Sequence, residues 1–322
     1  MLYTTRKEVS AMTTPIQKQK IFFALGTVNT LTYFEETAES AVQEAVNRVG
    51  ELHNRLSVFD ENSEISRINQ QAGMAPVRVS PDTYRLISDS MRYARWTDGA
   101  FDITTGVLSC LWKKAIRSGD EPQQRAIDHA LSLTGFRDIL MHPLKRSVML
   151  RKVGQKLDLG AIAKGYAADE VRRILQAHQV DHAIINLGGT VITLGEHTVG
   201  LQDPFQDTGV SFAAIRINGK AVVSSGTYEQ CRQQDDKLMH HLIDPTTGHP
   251  ADTDLTAVTL IGDNAEELDA LATAVLIQGM DKGMTLLRRR KLEGVFITRQ
   301  GRIYATKGLK HQLMTDHIFS AG

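Results

Sequence analysis

The sequence predicts an α+β fold built as one unit from residue 20 to residue 317, and three observations lead there. Strand-like and helix-like runs alternate irregularly, without the steady βαβ rhythm of a doubly wound sheet. At least two helices carry their own start signals, and no Pro/Ser-rich linker, internal repeat or low-complexity tract divides the chain. With 322 residues, 42% of them apolar, the chain can bury a full-sized core.

The elements follow in order. Residues 1–19 are polar and aperiodic and read as a flexible lead-in. IFFALGTVNTLTYF (21–34) then combines aromatic and β-branched residues around a Gly-Thr interruption, as two strands meeting at a bend. From Glu36 to Leu56 the apolar residues Ala38, Val42, Ala45, Val49, Leu52 and Leu56 fall on one stripe of a helix that must lie on a sheet. Ser80-Pro81 is an N-cap followed by a first-turn proline, opening a helix through Tyr84, Ile87, Met91 and Ala94 that stops before Asp98-Gly99. Lys164 to His178 is a third helix. A fourth starts at Asn264, with Glu267 placed to complete a capping box, and runs to about Gln278. Strands are expected at 182–187, 222–226, 240–245 and 257–262, with a hairpin over 294–306.

Charge and cysteine content narrow the function classes. Lys plus Arg equals Asp plus Glu at 37 each, so no overall field favours nucleic acid or an acidic membrane surface. Cys110 and Cys231 are too few and too isolated for a disulfide framework or a thiolate metal site. No secretory h-region and no run of about 18 apolar residues occurs, so a cytoplasmic location is expected.

Three segments carry candidate chemistry. In KLDLGAIAKGYAADEV (156–171) small residues precede a helix start that also bears Lys164, a pattern suited to an anion, although a plain strand-to-helix turn would read the same. In NAEELDALATAVLIQG (264–279) Asp269 and Thr273 share one face of an otherwise apolar helix. A carboxylate there needs a cation, a metal or several donors, and its oxygens suit Mg²⁺; an ordinary Asp-Arg pair is the alternative. In MHHLIDPTTGHPA (239–251) His241 can serve as a base and Asp244 can orient a group or cap a turn, and vicinal histidines on a strand would face opposite ways. GAFDITTGVL (99–108), INLGGTVITLG (185–195) and SSGTYEQ (224–230) each pair glycine with an apolar strand.

In sequence order, LGTVNT (25–30), LSVFDENSEISRIN (56–69), GAFDITTGVLSCLW (99–112), LDLGAIAKGYAAD (157–169), INLGGTVITLG, SSGTYEQ, HHLIDPTTG (240–248) and DALATAV (269–275) resemble the ApbE family of FAD:protein FMN transferases. The resemblance implies an α+β enzyme that takes FAD as substrate with Mg²⁺, releases AMP, and places FMN on a Thr or Ser hydroxyl within a short motif of an acceptor protein, here an intracellular one. It further implies that Leu25, Ala100, Phe101, Asp102, Asp158, Lys164 and Ile243 touch FAD. The Ala161 carbonyl, Asp269 and Thr273 would hold the metal, and His241 would help deprotonate the acceptor. Leu25 stands where the family usually has Met, and Thr190 and Thr227 stand where it usually has acidic residues. Two readings compete with protein flavinylation: an FAD pyrophosphatase using water as acceptor, and a noncatalytic flavin binder, which would have no need of the metal residues.

Overall fold

A computed structural model describes residues 17–234, 237–309, 311–315 and 320–321. The expected lead-in lies outside these over residues 1–16, and so does the expected end of the unit at 317; regular structure starts at Lys18.

Along the chain, β1 (Lys18–Ala24) and β2 (Thr27–Tyr33) form an antiparallel hairpin closed by Leu25-Gly26. Both turn residues have positive φ, 54° and 77°, as a tight two-residue hairpin turn requires. Helix α1 (Glu39–Leu56) buries the stripe read from the sequence, from Ala41 to Leu56. Next come α2 (Glu64–Gln70), the short β3 (Val77–Arg78) and α3 (Pro81–Trp96), whose N-cap Ser80 accepts the Thr83 N–H. Helices α4 (Gly106–Ser118) and α5 (Gln124–Ser132) and the pair β4 (Ile139–His142) and β5 (Ser147–Leu150) precede α6 (Ala163–Ala177).

Then follow β6 (Ala183–Leu187), β7 (Thr190–Leu194), β8 (Glu196–Gln202), β9 (Ser211–Asn218), β10 (Ala221–Gly226), β11 (Cys231–Gln234) and β12 (Lys237–His240). The chain closes with β13 (Leu255–Gly262), α7 (Ala265–Gln278), α8 (Met280–Arg290), β14 (Glu293–Thr298), β15 (Ile303–Ala305), β16 (Leu313–Met314) and β17 (Ser320–Ala321).

Among the described residues the central sheet has nine strands in the order β1-β2-β6-β7-β10-β13-β14-β15-β17, antiparallel except for the last pair. This is the α+β class that the irregular alternation indicated. Helices α1, α6 and α7 pack on one face and bury the main core, including Leu31, Val49, Leu52, Ile185, Leu260, Leu271 and Phe296. Against the other face lies the three-stranded sheet β16-β9-β8, through Val199, Leu201, Ile215 and Ile217 packed on Val222, Ile261 and Val295. Among the described residues no helix is long and apolar enough to cross a membrane.

Several expectations change. The 240–245 strand ends at His240, because Pro245 and the turn after it leave only an isolated bridge between Ile243 and Pro250. The apolar run around Val107 and Leu108 belongs to the start of α4, not to a strand. Asn264 caps α7 by accepting the Glu267 N–H at 2.7 Å, but Glu267 does not answer; its carboxylate pairs with Arg290 at 3.0 Å.

Candidate active site

Helix α7 is apolar nearly all round, the pattern of a helix buried on every side. Asp269, 2% exposed, sits in its middle, so the cost of burying its charge must be offset locally. Two groups do this. The Gly165 N–H donates to Asp269 Oδ2 at 2.9 Å, and Lys164 Nζ lies 3.6 Å from Oδ1. The sequence reading of a carboxylate in need of a partner therefore holds, and the partner is the start of α6.

The approach of the two helices depends on Gly165. A Cβ there would lie 2.3 Å from the Ala265 carbonyl oxygen and 2.8 Å from Asp269 Cβ, closer than any side chain tolerates. One turn beyond, Thr273 is half-buried and its hydroxyl reaches the Asp269 carbonyl at 3.4 Å. In a regular helix the Gly165 N–H would bond the Ala161 carbonyl four residues back. Here it turns to Asp269, and among the described residues the Ala161 carbonyl takes no backbone hydrogen bond. The helix start is thus partly capped in trans by a carboxylate, where the sequence suggested an open anion site.

These three oxygens, one charged and two neutral, suit a hard cation that keeps other positions for phosphate and water. Among the described residues no three His, Cys, Asp or Glu side chains converge as a softer metal would need. The residues present fit Mg²⁺.

Beside this centre, Lys164 Nζ donates to the Gly160 carbonyl at 3.3 Å, and the Gly160 N–H donates to Asp158 Oδ1 at 2.9 Å. Asp158 Oδ2 meets Lys113 of α4 at 3.2 Å, and the Asp158 N–H bonds the Ile103 carbonyl. Asp158 and the 100–102 loop are therefore neighbours. Ala100, Phe101 and Asp102 are all buried. The Asp102 carboxylate accepts the Thr104 N–H and hydroxyl and the Phe136 N–H, so it shapes the loop; burial raises its pKa despite those bonds. These three bonds engage the carboxylate within the loop that Ala100 and Phe101 share.

His241 follows β12, its N–H held by the Gln230 carbonyl. Desolvation, then His240, with Lys164 and Lys113 adding repulsion, pushes its pKa down to about 4. It is neutral near pH 7, and its buried Nδ1 has no hydrogen-bond partner among the described residues. His240 instead is spent on structure, Nε2 on the Ala251 carbonyl and Nδ1 accepting the Leu242 N–H. Ile243 is buried against Trp112 and Leu108 of α4. Asp244 caps its turn by accepting the Thr246 N–H and hydroxyl, the plainer of the two roles open to it. Leu25 is half-buried in the first hairpin turn, its N–H donating to His53 Nδ1 at 3.2 Å.

Three features escaped the sequence reading. Lys113 pairs with Asp158 and acts on His241, and its signal was the Lys113, Lys114, Arg117 spacing on a helix not recognised as one. Glu229 reaches solvent, yet desolvation raises its pKa, with Lys164 opposing and Asp269 adding to the rise. A cavity of about 710 Å³ opens beside Asp158 between α2, α4 and residues 156–158.

Comparison with known proteins adds the context. A family model described as the ApbE family matches residues 25–296. A Klebsiella pneumoniae protein named FAD:protein FMN transferase is 38% identical over 266 residues, covering 82% of this chain and 83% of that protein. One of the same name from Treponema pallidum is 32% identical over 290 residues, covering 84% and 80%. Among solved structures, the ApbE protein of Thermotoga maritima superposes with a TM-score of 0.84 at 30% identity, covering 92% of this chain and 98% of that one. The flavin transferase ApbE of Vibrio cholerae, at 23% identity and a TM-score of 0.80, shares the fold.

Proposed function

Since the chain belongs to the ApbE family, we propose that it transfers FMN from FAD to a hydroxyl of a target protein, and that the Lys164, Asp269 and His241 centre performs the transfer. The observation that carries the reading is the buried Asp269 carboxylate, which α6 partners with one N–H and one distant lysine and leaves with coordinating capacity.

Phosphoryl transfer asks mainly for positioning and charge neutralisation. Lys164 supplies a point charge for the pyrophosphate of FAD, and Asp158, linked to it through Gly160, borders the path of the dinucleotide. Mg²⁺, held by the Ala161 carbonyl, Asp269 and Thr273, would neutralise charge on the pyrophosphate oxygens. The acceptor hydroxyl oxygen forms a bond to the phosphorus on the FMN side while the bridging P–O bond breaks and AMP departs. His241 receives the hydroxyl proton on its unpartnered Nδ1. A pKa near 4, set first by burial, makes a weak base; the negative charge of a bound pyrophosphate would offset the smaller repulsion from Lys164 and Lys113 and so raise its basicity during turnover. Such a base contributes roughly 10²–10⁴ in rate.

The acceptor residue is a Ser or Thr of a protein. The test is to incubate the protein with FAD and Mg²⁺, with and without candidate acceptor domains, following AMP release and acceptor mass. A mass gain equal to covalent FMN that EDTA abolishes is the expected outcome. Metal-dependent AMP release that proceeds equally without any acceptor, with no acceptor gaining mass, would replace transfer by hydrolysis.

A further inference from the structure

The proposed metal centre draws its oxygens from two helices, with the Ala161 carbonyl just ahead of α6 and Asp269 and Thr273 on α7, so it depends on the register between them. The bond from the Gly165 N–H to Asp269 cannot fix that register alone, because it pulls on the ligand itself and a single link lets α7 swing about it. A second link runs the other way. Asp169, one turn beyond Gly165 on α6, accepts the Glu266 N–H at the start of α7 through its Oδ2 at 2.9 Å. Each helix therefore receives, in its N-terminal turn, a carboxylate from the other.

A carboxylate at a helix N-terminus is ordinary capping chemistry, favoured by the N–H groups there and by the helix dipole. Here the two caps are reciprocal, and Ala265, against which Gly165 packs with no room for a Cβ, is the residue next to Glu266. Asp169 is itself anchored. Its Oδ1 takes the guanidinium of Arg172, which also donates to the Asp263 carbonyl just ahead of the Asn264 cap. The entry into α7, from Asp263 to Glu266, is thus tied to α6 by two side chains that are not among the proposed metal ligands. Removing a residue that orients a metal ligand typically lowers metal affinity by about 10–100-fold.

We propose that Asp169 is a positioning residue of the metal centre, holding the start of α7 so that Asp269 and Thr273 stand where they can share a cation with the Ala161 carbonyl. The proposal rests on the metal assignment made above. Asp169 acts through the placing of α7, while the dinucleotide and the reacting atoms are left to other groups.

The test uses the full chain and Mn²⁺, a paramagnetic substitute for Mg²⁺ whose binding is read by EPR. FAD affinity is measured separately in EDTA by flavin fluorescence, and urea unfolding shows whether each variant is folded. Asp169→Ala should weaken Mn²⁺ binding by at least about tenfold while FAD affinity stays within about twofold. Asp169→Asn, whose amide oxygen can still accept the Glu266 N–H, should recover most of that loss. Asp169→Glu keeps the charge but lengthens the link by a methylene; it should weaken Mn²⁺ binding by about threefold or more, and it carries the test if the alanine variant does not fold. Ile215→Ala, in the small sheet on the far side of the central sheet, controls for lost stability alone and should bind Mn²⁺ within about twofold of the unmodified protein. Unchanged Mn²⁺ affinity in folded Asp169→Ala or in Asp169→Glu, an asparagine variant as weak as alanine, a parallel loss of FAD affinity, or an equal loss in Ile215→Ala would each overturn the proposal. Asp269→Asn separates it from the reading beneath it. Normal Mn²⁺ binding by that variant would remove the metal assignment, whereas its loss there with none in folded Asp169→Ala would remove the positioning role alone.

Discussion

Replacing Gly165 by alanine tests how the proposed metal centre is held. Alone, the change favours the helix by about 0.5–1 kcal/mol. Against that, the new methyl would sit 2.3 Å from the Ala265 carbonyl oxygen, 2.7 Å from its carbon and 2.8 Å from Asp269 Cβ. Two of those three atoms are backbone of α7, so neither helix can yield by turning a side chain. The helices must separate by roughly an ångström, at a typical overpacking cost of about 1–3 kcal/mol. Separation also stretches the 2.9 Å bond from the Gly165 N–H to Asp269, a hydrogen bond to a charged group worth about 1.5–3 kcal/mol. The sum is a net loss of roughly 2–5 kcal/mol, measured by urea unfolding, with a rise in the Mg²⁺ concentration needed for AMP release. Gly50→Ala is the control: Gly50 lies inside α1, nothing stands within 4 Å of its would-be Cβ, and the variant should gain about 0.5–1 kcal/mol. If Gly165→Ala matched wild type within about 0.5 kcal/mol and kept its metal requirement, the close helix contact would not be what positions Asp269.

Further expectations can be checked directly. Asp269→Asn keeps an acceptor for the Gly165 N–H but removes the charge, so it should retain most of the stability and lose metal-dependent turnover; normal activity in the variant would remove Asp269 from the metal site. His241→Ala should lower transfer by roughly 10²–10⁴ with little change in FAD affinity, and a loss of FAD binding in step with activity would make the residue structural. In the ligand-free protein, NMR should find His241 neutral down to about pH 5, with its titration moving upward when FAD is added. Glu266, 1% exposed, has its pKa pushed up to about 8, chiefly by burial and then by Asp89. Because the folded pKa lies above the unfolded 4.5, this group's stabilising contribution is complete below pH 4.5 and declines as pH rises towards 8, by at most about 1.4 kcal/mol per unit. Glu266→Gln should flatten that slope in denaturant titrations between pH 5 and 9, and an unchanged slope would show that another group causes it.

What the sequence determined by itself follows from local physics. The apolar stripe of α1, the Ser80-Pro81 start of α3 and the hairpin around Leu25-Gly26 all depend on near neighbours in the chain, and each stands where periodicity and capping chemistry placed it. Asp269 was legible too, because a lone carboxylate among apolar residues on a helix demands a partner wherever the chain goes. Other features were set only by tertiary structure. The resemblance assigns Asp102 and Asp158 alike to FAD, but only the fold shows that Asp102 holds Thr104 and Phe136 while Asp158 borders a cavity. The strand expected at 240–245 stops at His240, where a proline turn prevails over β-propensity and leaves His241 half-buried with a buried, unpartnered Nδ1. That Gly165 N–H partners Asp269, 104 residues away, and that Lys113 stands beside Asp158, 45 residues away, are consequences of how α4, α6 and α7 pack, and no local pattern encodes such distances. Charge, burial and propensity act along the chain and can be read there; which charged groups meet is decided by packing across it.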